Sequence, residues 1–128
     1  MNYYEEKPYK IIANDKGNIY KFAGSDEFPD FIKGDVYFSE INPYSSKPWR
    51  RHTELTCVLG VVYGETIIKI KPRIDSQYVS TNLFLGNKKL VKIKPGNWYC
   101  FENEKDTTCL LFAMLNGRHE ESEVERLL

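Results

Sequence analysis

Histidine is scarce in this chain: His52 and His119 are the two present among 128 residues. The three cysteines, Cys57, Cys100 and Cys109, fall inside apolar, strand-like runs and show none of the close spacing of a metal-binding cluster. Their odd number, with a start (MNYYEEKPYK) that carries no apolar signal region, reads as reduced core cysteines and a cytoplasmic location. Long apolar runs are missing too. Nothing approaches the ~20 residues of a membrane-spanning helix, so no membrane partner is expected. Nor does one sign of charge prevail: 18 basic and 18 acidic residues cancel. That balance removes the electrostatic case for nucleic acid or an anionic membrane surface.

What the chain does have is turns and short β-type runs. At 128 residues it is long enough for one domain, 1–128, with one buried core. Strand-like runs at 9–13 and 18–22 flank the turn Asn14-Asp15-Lys16-Gly17, a hairpin signal. Loops at 24–31 and 42–48 enclose the run at 35–41. In that run Val36, Phe38 and Glu40 point one way, and Tyr37, Ser39 and Ile41 the other. Further runs lie at 55–62, 66–71, 77–85, 90–94, 97–102 and 108–115, divided by Tyr63-Gly64, Gly86-Asn87, Pro95-Gly96 and the segment 103–106. The tail, 120–128, reads as a short helix, charged in front and anchored by Leu127 and Leu128. About nine short strands with turn residues at near-regular intervals predict an all-β barrel or sandwich. An aromatic content of 14% suits a barrel interior that doubles as a ligand pocket.

The stretch with most chemistry in it is KPWRRHTELTCVLGVVYGE, residues 47–65. Its first six residues gather a Lys, a Trp, two Args and a His at the mouth of a strand. On a strand Arg50 and Arg51 point opposite ways, so by period 2 it is Arg50 that shares a face with His52.

Three segments, VYFSEINPYSSKPWRRH, the strand ending in VVYGE, and KIKPGNWYCFEN, together resemble the small cupins that act on nucleotide-linked 4-keto sugars. These are the dTDP-4-dehydrorhamnose 3,5-epimerases and the nucleotide-sugar 3,4-ketoisomerases; the resemblance spans about Asp15 to Met114. It implies a single-domain cupin-type jelly roll and a nucleotide-sugar substrate in deoxysugar or polysaccharide biosynthesis. It also implies a homodimer, with the tyrosines of MNYYEEKPY in a strand exchanged between subunits. Lys16 takes the place of the Arg in the family's early Asp-x-Arg-Gly turn. In the ketoisomerase run Arg-Gly-x-His-x-His, here Lys47-Pro48-Trp49-Arg50-Arg51-His52, the second His is kept as His52 and Arg50 replaces the first. The epimerases' single base also aligns with Arg50, and their catalytic Tyr falls at Phe112, which has no proton to give. Metal-holding cupins carry two His and a carboxylate, then another His; here His52, Glu54 and Tyr99 stand at those places. One imidazole and one carboxylate are a poor ligand set, so no metal and no cofactor are expected.

The chemistry open to these residues is proton transfer beside a carbonyl. A C–H next to a keto group is acidic enough for an imidazole base, and His52 is the side chain of that kind in the cluster. Arg50 beside it would stabilise an enolate oxygen. Lys16, Lys47, Arg51 and Arg73 are the candidate diphosphate anchors, Trp49 and Trp98 the candidates for stacking on base or sugar, and Tyr37 and Tyr99 the candidate proton donors opposite His52. Plainer readings stand beside these. A strand His can be structural, Arg50 and Arg51 can be edge charges that deter aggregation, Trp98 can be core, and His119 lies in a solvated NGRHEESE segment. Two functions follow: an isomerase or epimerase of a nucleotide-linked 4-keto deoxysugar, or a cupin that binds such a sugar without reacting it.

Overall fold

The computed structural model describes residues 3–13, 19–21, 34–117 and 120–127. The turn Asn14-Asp15-Lys16-Gly17, the loop at 24–31 and His119 lie outside them. Strands β1 (Tyr4–Pro8), β2 (Lys10–Ile12), β3 (Ile19–Lys21), β4 (Val36–Ile41), β5 (Ser46–His52) and β6 (Cys57–Tyr63) make up the first half. The second half supplies β7 (Glu65–Lys71), β8 (Val79–Phe84), β9 (Lys89–Ile93), β10 (Trp98–Glu102), β11 (Cys109–Leu115) and β12 (Val124–Arg126). They form two five-stranded antiparallel sheets, β1-β9-β6-β11-β4 and β12-β5-β10-β7-β8, and the hairpin β2-β3. Among the described residues no helix is long and apolar enough to cross a membrane.

The inner faces of the two sheets make the core. Alternation does the sorting: on β7, Thr66, Ile68 and Ile70 are buried while their neighbours are half-exposed. Tyr99 and Phe101 of β10 lie opposite Ile70 and Ile68, on the same inward face. From the other sheet come Leu59, Val91, Ile93, Leu111, Ala113 and Leu115. The alternation expected for β4 is found. Ile41 is 1% exposed, whereas Val36 and Phe38, on the outward face, are 57% and 62% exposed. The three cysteines are buried and free. Gly64 closes the β6–β7 turn at φ +79°, and a Cβ there would come within 2.7 Å of the Thr108 carbonyl oxygen.

Three elements differ from the sequence expectation. β1 is not marked as a strand by the residue pattern, only by the resemblance; it pairs along β9 of its own chain, where Glu6 bridges to Lys89 and Glu5 to Lys92. β5 was read as loop up to Pro48. The third difference is the tail, which is not a helix. A short 3-10 turn, Glu121–Glu123, leads into β12, which pairs with β5 as Val124↔His52, Glu125↔Arg51 and Arg126↔Arg50. Helix propensities differ by only about 0.7 kcal/mol per residue among ordinary side chains. The strand hydrogen bonds and the buried Glu123 side chain outweigh that local preference.

Candidate active site

The site is built on β5, and an irregularity in β5 decides which side chains enter it. Tyr99 lies opposite Arg50, but Phe101 lies opposite Lys47, so Pro48 and Trp49 together face the single residue Cys100. This is a β-bulge, and Pro48, lacking an N–H, is at home where the ladder is interrupted. The extra residue shifts the pleat by one. Lys47 and Arg50 therefore share the inward face with His52, although strict alternation would have turned Lys47 outward. The Arg50 guanidinium carbon stands 6.0 Å from the centre of the Phe101 ring. Lys47 Nζ donates across the interior to Ser39 Oγ of β4 at 2.7 Å.

His52 is held on three sides. Its carbonyl accepts from Gly96 N–H at 2.7 Å, in the Pro95-Gly96 turn where Gly96 has φ +85°. Nδ1 lies 2.7 Å from Glu123 Oε1, and Nε2 lies 3.0 Å from the Tyr99 hydroxyl. The other Glu123 oxygen accepts from the backbone N–H groups of Glu54 and Leu55, both at 3.0 Å. Burial alone would raise the Glu123 carboxyl, but the hydrogen bonds from His52 and from these two amides hold it below its ordinary value. An ionised Glu123 only accepts, so Nδ1 carries a proton and neutral His52 presents Nε2 as its basic nitrogen. His52 is 4% exposed and Tyr99 2%.

The phenols and thiol around this pair are kept protonated. Burial pushes Tyr37 up to about 12, with the nearby Cys57 adding to it and Arg50 opposing. Burial likewise raises Tyr99 well above the usual phenol range, again against the pull of Arg50. Cys57, fully buried, is pushed up to about 12, with the hydrogen bond it shares with the Tyr99 hydroxyl opposing the rise. Lys47 is lowered by burial and by the neighbouring Arg50 charge, with Glu40 opposing. Arg50 Nε is buried without a hydrogen-bond partner. Among the described residues neither Arg50 nor Lys47 forms an ion pair.

His52, Tyr99, Tyr37, Arg50 and Lys47 are thus brought together in the barrel interior. The other residues picked from the sequence are not. Trp49 and Arg51 point from the outer face of β5. Arg51 stacks 5.0 Å over Trp98 and is bonded to both oxygens of Glu125, while Lys71 covers Trp49 at 4.2 Å. Trp98, on the same outer face, is buried beneath Arg51. Arg73 is in the exposed turn after β7, its side chain 80% accessible. Lys16 lies outside the described residues. Phe112 is also clear of the interior: it packs edge-on against Phe38 on the outer face of the other sheet, with ring centres 5.8 Å apart. Among the described residues no three His, Cys, Asp or Glu side chains gather as a metal site would require.

Sequence reading missed Glu123. The tail holds several acids, and nothing local marks one of them as buried.

No protein-family model matches the chain, and no curated protein matches it by sequence. Solved structures do match. A dTDP sugar isomerase from Desulfovibrio desulfuricans G20 superposes with a TM-score of 0.87 at 26% identity, over 99% of this chain and 85% of that one. A histidine-to-asparagine variant of the 3,4-ketoisomerase QdtA from Thermoanaerobacterium thermosaccharolyticum, in complex with TDP-4-keto-6-deoxyglucose, gives 0.82 at 19% identity, over 99% and 89%. The 3,5-epimerase RmlC from Legionella pneumophila Philadelphia 1, in complex with dTDP-4-keto-L-rhamnose, gives 0.83 at 14%, over 99% and 73%. The fold is that of the sugar-epimerase cupins, as the resemblance implied.

Proposed function

We propose that the protein is an isomerase or epimerase of a nucleotide-diphosphate-linked 4-keto deoxysugar, acting by proton transfer at the carbon beside the keto group. One observation carries this: an imidazole held by a buried carboxylate on Nδ1, with its basic nitrogen turned towards a phenol and an inward guanidinium. Glu123 orients the ring and stabilises the imidazolium that forms when His52 takes up a proton. Arg50 meets the enolate oxygen that develops on the sugar, where its buried, unpartnered Nε is available to an anion. Lys47, the second inward cation, is placed for a phosphate oxygen. The isomerase from D. desulfuricans supports the same class of substrate.

The binding-module reading has one observation in its favour. Both nitrogens of His52 are bonded within the protein, as in a structural histidine. Solvent exchange separates the two. Incubating TDP-4-keto-6-deoxyglucose and related 4-keto sugars with the protein in D₂O, followed by NMR, should show deuterium entering the sugar next to the carbonyl. General-base catalysis contributes about 10²–10⁴-fold, so His52→Asn should lose about that much rate while keeping its nucleotide affinity. Absence of exchange with every such sugar, with nucleotide binding retained, would establish the module instead.

A further inference from the structure

His52 cannot meet a substrate carbon without giving up a hydrogen bond, because Nδ1 is taken by Glu123 and Nε2 by Tyr99. The group between His52 and the rest of the interior is the Tyr99 hydroxyl. The Tyr99 ring lies nearly parallel to the imidazole, at 22°, with centres 6.1 Å apart, and edge-on to Phe101, the ring beneath Arg50. Its other neighbours are Cys57, Tyr37 and Arg50. Tyr37, Arg50 and Lys47 are half-buried, whereas His52 and Glu123 are buried, so exposure falls from the cations towards the imidazole. A fixed direction runs through this chain of groups. With the Nδ1 proton committed to Glu123, Nε2 must accept, so Tyr99 O–H donates to it. The phenol oxygen then presents a lone pair to the interior.

We propose that Tyr99 is the catalytic residue that touches the reacting carbon, and that His52 works through it as the proton store behind. This rests on the proton-transfer reading above. In the forward step the C–H bond beside the keto group breaks and its electron pair enters the enolate, whose oxygen faces Arg50. The proton forms a new O–H bond on Tyr99 as the original Tyr99 proton moves to Nε2. His52 becomes an imidazolium opposite the Glu123 carboxylate. Return of the proton from Tyr99 to carbon, on either the same or a neighbouring atom, reverses each bond change, and no oxidant or reductant is needed. A free phenolate is never formed. That suits a buried phenol, whose ionised form is strongly disfavoured, because the two transfers occur together.

The relay and direct attack by His52 make opposite predictions for Tyr99→Phe in the full chain. Removing the hydroxyl frees Nε2. If His52 reacted directly, deuterium exchange into TDP-4-keto-6-deoxyglucose would persist or quicken. The relay expects a fall of about 10²–10⁴-fold, with TDP affinity unchanged. Replacing Tyr99 by 3-fluorotyrosine preserves shape and hydrogen bonds, which guards against a misfolded variant. It makes the phenol more acidic, so the exchange rate and its pH profile should both change; an unaltered profile overturns the relay. Nitrogen-15 NMR of His52 adds a readout apart from turnover. A proton on Nδ1 and a bare Nε2 are expected, and the reverse tautomer overturns the proposal. Exchange by the native protein that survives Tyr99→Phe refutes the relay alone. No exchange by the native protein refutes the functional reading and the relay with it.

Discussion

The two faces of β5 use the same residue types to opposite ends. On the outer face each cation named here has a partner, although Arg51 Nε has no hydrogen bond: Arg51 lies over Trp98 and grips Glu125, Lys71 covers Trp49, and Lys69 of β7, one strand beyond β10, meets Glu102 at 2.6 Å. On the inner face Lys47 and Arg50 have no carboxylate partner among the described residues; an unbonded Nε is common to Arg50 and Arg51, so the carboxylate is what separates the two faces. Leaving a half-buried guanidinium partly unsatisfied costs stability, since a lone buried polar group forfeits its hydration. The outer face is built for the fold. On the proposed function, the inner face is left for an anion that arrives from outside.

Neutralising the two arginines separately is the strongest test of this contrast. Arg50→Met should reduce exchange into the 4-keto sugar by about 10²–10³-fold, the usual effect of removing one donor to a developing oxyanion. The fold should be as stable or more stable, because an unsatisfied buried group has gone. A variant that keeps its rate would remove Arg50 from the chemistry.

Glu123 comes next, because it is the carboxylate bonded to the inner-face His52. Glu123→Gln replaces an acceptor of three hydrogen bonds by a group that also donates, so the variant should lose about 1.5–3 kcal/mol in denaturant titration, as when a buried hydrogen bond to a charged group is broken. The pH dependence has a definite sign. The folded-state value of Glu123 lies below its unfolded value of 4.5. Its contribution is therefore complete above about that pH and is lost as pH falls through the folded value. The native protein should lose stability on acidification in that window, and Glu123→Gln should show a flatter acid limb. An identical limb in both would place the titrating group elsewhere.

The smallest effect is expected at Arg51, on the outer face. Arg51→Met breaks a half-exposed ion pair and a ring contact, together worth roughly 1 kcal/mol. Exchange rate and nucleotide affinity should be unchanged. A loss of nucleotide binding in that variant would bring the outer face back into the site.

Much of the fold was legible because it is written in local patterns. The alternation of β4 put Tyr37, Ser39 and Ile41 on one face and Phe38 on the other, and period 2 at the end of β5 paired Arg50 with His52. The motif resemblance led to the right fold. It did not place Phe112, since register with β4 and β6, and not position along the motif, turns that ring outward.

From the sequence by itself came the β-rich class, the turns, and the shared face of Arg50 and His52. Tertiary structure alone decided the rest of the site. The bulge at Pro48 and Trp49 is defined by what lies opposite on β10, so the inward turn of Lys47 is a property of two strands. Glu123 reaches His52 across 71 positions of chain because β12 pairs with β5. Such a contact leaves no local trace: a carboxylate in a run of acids is indistinguishable from its neighbours until a long-range strand pairing buries one of them.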